Sequence, residues 1–272
     1  MKTLKDIGEF GLIKEISCSI NTDNTVVKGI GDDCAVLEFT GRHYLLVTSD
    51  MIMENVHFKR SAPAFYIGRK ALAAALSDIA AMGGFPTACV VSVGFPRELP
   101  VRFVKEIYRG IKALAKKYNV NVVGGDSNAS SRIIIDVTCL GLVEKGNLTL
   151  RGGAEIGDII FVTATLGGSI RGKHLKFEPR IKEARFLVKN FKINAMIDIS
   201  DGLLQDLGHI ITQSKVGAVI YEELIPVSKA ASGLRDALMM GEDYELLFTA
   251  PVSEARRIIR KVKGKLLAVS YT

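Results

Sequence analysis

The sequence predicts a mixed α/β fold, α+β in its layering, organised as two domains. Three observations carry this expectation. Apolar runs of strand length alternate with segments of helical period, a Gly-rich stretch separates two such alternations, and 272 residues at 48% hydrophobic composition are enough for a sizeable core. With 24% charged residues and no low-complexity tract, the chain has the composition of a folded globular protein.

Tyr44–Val47 is a short apolar run that reads as a buried strand delivering Thr48, Ser49 and Asp50 at its end, with Asp50 to Val56 as an acid-rich loop. From Phe65 to Met82, the residues Ile67, Ala71, Ala74, Ala75 and Ile79 recur at helical spacing, and Gly83-Gly84 ends the helix. Asp78 then falls in the last helical turn, where the macrodipole disfavours a carboxylate. A bound cation would compensate it.

Cys89–Phe95 reads as a second strand, Val101–Tyr118 as an amphipathic helix, and Val120–Val123 as a strand running into Gly124-Gly125-Asp126. Ile133–Val143 reads as a long strand, and the Gly-rich stretch 146–157 sets the boundary between domains 1–146 and 147–272. Beyond it, Asp158–Thr165 reads as strand and Ala184–Lys189 as helix. Ala195–Ile199 is a further strand, followed by a helix over Leu203–Gln213 with Ser200 and Asp201 as candidate caps. Gly241–Phe248 is open between a turn leading into an edge strand and part of a substrate pocket. Ser253–Val262 reads as a basic helix and Leu266–Val269 as a strand.

The charge of +7 does not by itself imply nucleic acid, because the basic residues are scattered and their densest runs, at Lys112-Lys116-Lys117 and from Arg256 to Lys265, fit solvated helix faces. Four widely spaced cysteines, without a Cys-x-x-Cys pair, point to neither zinc nor a redox motif and make the cytoplasm the default setting. The start of the chain has no apolar signal core, and no apolar run reaches bilayer length, so neither secretion nor membrane insertion is expected. No P-loop or dinucleotide fingerprint is present.

What stands out is a set of acids beside Gly, Ser and Thr: Gly31-Asp32-Asp33, Thr48-Ser49-Asp50, Ser77-Asp78, Gly124-Gly125-Asp126 and Asp198-Ile199-Ser200-Asp201-Gly202. Magnesium takes hard oxygen ligands and is usually shared between a few carboxylates and a substrate's phosphates, so this pattern suits a magnesium-polyphosphate site. Asp32 and Asp33 are poor candidates for a general acid-base pair, since adjacent side chains rarely point the same way. With four histidines in the chain, His57 reads either as an ordinary half-buried residue or as a contact to a phosphate or ring.

Together these segments resemble the thiamine-monophosphate kinase family of the ATP-binding superfamily that includes aminoimidazole ribonucleotide synthetase. The early acid motifs are superfamily-wide. More diagnostic are Val56-His57-Phe58, Ser77 to Gly83, Met196 to Leu203 and Gly241 to Phe248. The resemblance implies magnesium ligands at Asp33, Thr48, Ser49, Asp50, Asp78, Asp126, Asp198 and Asp201, with Asp50, Asp78 and Asp126 central to catalysis. It implies ATP contacts at Tyr108, Gly125, Asp126, Arg151 and Ser200, and thiamine-phosphate contacts at His57 and Glu242; Asp32 is left mainly structural.

It further implies a homodimer whose N-terminal strands complete a barrel across the interface, ATP in a cleft between subunits, and no nucleic-acid or membrane partner. Ser49 and Ser127 stand where the family often has Thr, and Gly172–Arg180 is a shortened version of a longer stretch. The chain ends at Thr272, earlier than is usual for the family, without an obvious match to the aromatic that covers the substrate ring; Tyr271 is the candidate replacement. Direct transfer of the ATP γ-phosphoryl group to thiamine monophosphate is the activity implied. Its rivals are another ATP-dependent reaction at the same site and a non-catalytic nucleotide-binding scaffold.

Overall fold

A computed structural model describes residues 3–262 and the backbone of Leu266–Tyr271. Lys263 and Lys265 of the basic run and the Tyr271 side chain lie outside the described residues. In chain order the elements are α1 (Leu4–Ser17), β1 (Val26–Lys28), β2 (Ala35–Glu38), β3 (His43–Met53), α2 (Ala64–Ala81), β4 (Phe85–Phe95) and α3 (Val101–Tyr118). Then come β5 (Asn121–Gly124), β6 (Ser127–Ala129), β7 (Ile134–Glu144), β8 (Ile159–Thr163), α4 (Ile181–Asn190), β9 (Ala195–Asp198) and α5 (Leu203–Ser214). The last are β10 (Val219–Ile220), α6 (Leu234–Met239), β11 (Leu246–Ala250), α7 (Val252–Val262) and β12 (Leu266–Tyr271).

The fold is mixed α/β, as the alternation of periods predicts. Strands β1 to β7 form one sheet in the order β1-β2-β3-β7-β4-β5, with β6 also on β4, and the later strands form a five-stranded sheet, β10-β12-β8-β11-β9. One large core runs from the first sheet through α2 to Phe161 and Phe248 of the second, while Ile160, Val162, Ile197 and Leu247 face a smaller core under α5. Helix α2 is therefore shared by both sheets. Its Ala- and Leu-rich composition favours helix. Glycine lets α3 lie directly against it: a Cβ on Gly68 would sit 1.9 Å from the Ile107 carbonyl oxygen, and one on Gly110 1.9 Å from that of Phe65. No helix among the described residues is long and apolar enough to cross a membrane.

Two expectations and one of two open readings need correction. Thr48, Ser49 and Asp50 lie within β3 rather than at its end, and the segment read as a loop stays in strand to Met53. The cause is long-range, because β3 pairs antiparallel with β7 along its whole length, from His43 opposite Glu144 to Met53 opposite Ile134. Strand β11 is interior, not an edge: it pairs with both β8 and β9, and all five residues are buried. At the start of α5 the N-cap is Gly202 rather than Ser200 or Asp201, with no side-chain cap bond of its own. The Asp206 carboxylate reaches back to accept from the Asp201 and Gly202 N–H groups at 3.1 and 3.0 Å. It thereby satisfies two backbone donors at the helix entrance.

Candidate active site

The period of two along β3 decides which of its polar residues reach α2. Leu46, Thr48, Asp50 and Ile52 share one face, and Thr48 Oγ1 donates to Asp78 Oδ2 in the last turn of α2. One residue earlier, Ser77 Oγ donates to Asp198 Oδ2 at 2.6 Å, linking α2 to the end of β9. Asp33 arrives from the loop before β2. Asp33, Asp78 and Asp198 each offer an oxygen, all within 4.8 Å of one another.

Asp33 and Asp198 are 8% and 2% exposed. Burial, then the neighbouring carboxylates Asp198, Asp50 and Asp33, push the Asp78 carboxyl well above its ordinary range. Burial drives Asp33 up to about 7 against the opposing pull of Arg151, and Asp50 rises to about 7 through burial and repulsion from Asp198 and Glu242. Burial also raises Asp198. Like charges packed this closely in a low-dielectric site resist ionising together unless a cation joins them.

Arg151 supplies part of that charge. Its Nη2 donates to Asp33 Oδ1 at 2.7 Å, while its Nε is buried without a hydrogen-bond partner. Asp33 Oδ2 is likewise buried and unpartnered. Asp32 is tied to the backbone and to a lysine: its carboxylate accepts the Arg151 N–H at 3.1 Å and pairs with Lys28 at 3.5 Å. The ligand atoms facing the cluster are all oxygens, among them the unpartnered Asp33 Oδ2, and that set fits magnesium.

Beside Lys70, two turns before Ser77 on the same stripe of α2, His57 Nδ1 accepts from the Met53 N–H at 3.0 Å, which puts the proton of the neutral ring on Nε2. Burial lowers the His57 pKa and so favours that neutral form. Glu242 has φ of 70° and pairs with Lys70, whose side chain is 0% exposed. Beside them Asn55, Phe58, Ser61, Ile170, His174 and Leu175 line a cavity of about 450 Å³.

The remaining candidates are placed differently. Ser49 projects from the opposite face of β3, bonded to the Asp136 carboxylate at 3.1 Å and Thr138 Oγ1 at 3.0 Å. Gly125 packs against β4, where a Cβ would meet the Val91 carbonyl oxygen at 1.9 Å, and exposed Asp126 accepts from Asn128 Nδ2 at 2.7 Å. Tyr108 is half-buried on α3. Among the described residues, no hydrogen bond or ion pair joins Tyr108, Gly125 or Asp126 to the acid cluster. Asp201 is exposed and accepts from Gln205 Nε2 at 3.0 Å, while Ser200 is held through its carbonyl, 2.7 Å from the Glu242 N–H.

Sequence reasoning missed Lys70 and the bond made by Ser77. A signal was present, because both fall on the apolar stripe of α2, three and ten residues after Ile67. A lysine in the middle of such a stripe is a buried charge in need of a partner.

Residues 31–143 match the AIR synthase related protein N-terminal domain and residues 147–270 the corresponding C-terminal domain. Thiamine-monophosphate kinase of Rhodopirellula baltica is 39% identical over 248 residues, spanning 85% of this chain and 78% of its own. That of Bacillus subtilis is 36% identical over 278 residues, spanning 90% and 84%. A solved complex described as AaThiL with AMPPCP and TMP superposes with a TM-score of 0.90 at 32% identity, covering 100% of this chain and 92% of that one. Identity over most of its length, both matched domains and the fold itself all agree: the chain belongs to the thiamine-monophosphate kinase family of AIR synthase related proteins.

Proposed function

We propose that this chain transfers the γ-phosphoryl group of ATP to the phosphate of thiamine monophosphate, giving thiamine diphosphate and ADP. The observation that carries the reading is the meeting of Asp33, Asp78 and Asp198 within 4.8 Å, in a chain whose relatives are thiamine-monophosphate kinases. The AMPPCP and TMP held by the structural relative support the same pair of substrates.

In this reading Asp33, Thr48, Asp50, Asp78, Asp126, Asp198 and Asp201 hold magnesium, with Asp50, Asp78 and Asp126 nearest the chemistry. Ser49 belongs to the same proposed set, although its hydroxyl points to the other face of β3. Bound magnesium would neutralise the repulsion between two phosphate anions and help align them in line. The acceptor oxygen is already anionic, so the chain need not supply a strong general base.

Arg151 offers a permanent charge and an unused Nε–H suited to a phosphate oxygen. Tyr108, Gly125, Asp126, Arg151 and Ser200 make up the proposed ATP contacts. In this reading His57 Nε2–H donates to the acceptor, with Glu242 as the second acceptor contact; the Nδ1 bond to Met53 N–H supports the former.

A homodimer with a barrel of N-terminal strands across its interface fits the exposure of Phe10, Val27, Val122 and Val123, four apolar residues near the first sheet or its leading helix. A nucleotide cleft between subunits also fits the exposure of Gly125 and Asp126. Four free cysteines suit a reducing cytoplasm.

The test is to incubate the purified protein with ATP, magnesium and thiamine monophosphate and to separate products by chromatography. Thiamine diphosphate and ADP in equal amounts are expected. ATP binding without product would sink the reading. Light scattering of the same preparation tests the dimer.

A further inference from the structure

Lys70 sits on α2 in line with Ile67 and Ala74, and its side chain is entirely shielded from water. Stripping water from an ammonium is costly, and an apolar residue of similar size would pack there without that cost. The compensation is specific: Lys70 Nζ donates to Glu242 Oε2 and, at 2.9 Å, to the His57 carbonyl oxygen.

Each partner is held at a second point. The His57 ring accepts from the Met53 N–H at 3.0 Å, so carbonyl and ring are both tied and Nε2–H is left with a defined direction. Glu242 occupies the left-handed region, with φ of 70°. Its N–H donates to the Ser200 carbonyl at 2.7 Å, and the Tyr244 N–H donates to that of Ile199 at 2.8 Å. One ammonium thus joins three pieces of chain: the turn after β3, the helix carrying Ser77 and Asp78, and the loop that fastens the turn after Asp198.

We infer that Lys70 is a positioning residue for the acceptor: it fixes His57 and Glu242 relative to the acid cluster and so sets acceptor affinity without touching the nucleotide. This rests on the kinase reading above. A residue serving only to hold the fold would affect both substrates alike, whereas the hydrogen bonds of the Lys70 ammonium among the described residues go to His57 and Glu242, with its charge also acting on Asp50.

The experiment compares wild type, Lys70→Met, Glu242→Gln and the double variant, measuring KM for thiamine monophosphate at saturating ATP, kcat, and AMPPCP affinity by calorimetry. A wild-type protein that makes no thiamine diphosphate would defeat the kinase reading and leave the positioning role without a reaction to serve. With an active wild type, Lys70→Met is expected to raise KM at least tenfold, lower kcat less, and leave AMPPCP affinity within twofold. Glu242→Gln should raise KM in the same sense, and the double variant should be no worse than Lys70→Met alone, since both remove one coupled unit.

If Lys70→Met fails to fold, the double variant, which no longer leaves Glu242 as a charge without its partner, provides the same comparison alongside Glu242→Gln. A wild-type KM in Glu242→Gln, a parallel loss of AMPPCP binding, or additive effects in the cycle would each overturn the inference.

Discussion

The acid cluster and the lysine-bridged pair beside it are organised by the same helix, α2, yet they balance charge in opposite ways. At the cluster, Asp33, Asp78 and Asp198 crowd together, and among the described residues only Asp33 has an ion pair, with Arg151. At the lysine-bridged pair, each charge has its partner inside the fold, Lys70 against Glu242. The difference separates a place where one arginine faces several carboxylates from one whose charges are matched. The first is suited to take in a cation. The second is suited to hold a neutral or anionic group against fixed neighbours.

The largest effect expected from breaking this contrast comes from Asp78→Asn. Removing one carboxylate from the cluster should lower kcat roughly 10²–10³-fold, the scale seen when one electrostatic stabiliser of a transition state is lost. The same variant should melt no lower than wild type without magnesium, because it relieves like-charge repulsion; circular dichroism melts and steady-state rates check both halves. Wild-type turnover would remove Asp78 from the chemistry.

A second expectation concerns pH. Asp33 and Asp50 are raised from 3.8 to about 7 in the folded chain, so between those values the native state binds more protons than the unfolded one. Their contribution to stability is then greatest at low pH and is lost as pH rises through about 7. The metal-free protein should therefore lose melting temperature between pH 5 and 8 through these groups. Magnesium, which binds the ionised acids, should raise it more at pH 8 than at pH 5. Equal magnesium shifts at both values would contradict the assignment.

A smaller effect is expected for Arg151→Lys. The point charge survives but the fork does not, so ATP affinity should fall about tenfold, or about 1.4 kcal/mol, by calorimetry. The smallest distinguishes the faces of β3: Ser49→Ala should change kcat by no more than about twofold, the scale of an exposed substitution, if the hydroxyl serves only Asp136 and Thr138. A loss on the scale of Asp78→Asn would return Ser49 to the metal.

Much of the fold is legible in the sequence because its signals are local. The apolar spacing of α3 marks Val101–Tyr118, the span observed, and α2 differs by one residue at each end from the helix read over 65–82. What is illegible depends on partners far away in the chain. The full length of β3 requires β7, and the interior place of β11 requires both β8 and β9. The Gly241–Phe248 motif stays open in the sequence between a turn into an edge strand and part of a pocket, whereas Asp243 and Glu245 are 0% and 1% exposed in the fold. Asp243 accepts the Gly167 N–H at 2.7 Å, and Glu245 pairs with Lys173 and Arg180 at 2.8 and 2.6 Å.

By itself the sequence determined the kind of chemistry available: oxygen-rich acids placed beside small residues, an arginine, few histidines, and an α/β alternation to carry them. Composition and short-range period suffice for that, since each is a property of neighbouring residues. Only the tertiary structure decided which acids meet. Asp33, Asp78 and Asp198 lie in separate parts of the chain, and their approach depends on strand register and on one helix packed between two sheets. The pleat put Thr48 and Ser49 on opposite faces, and burial made Lys70 into a bridge.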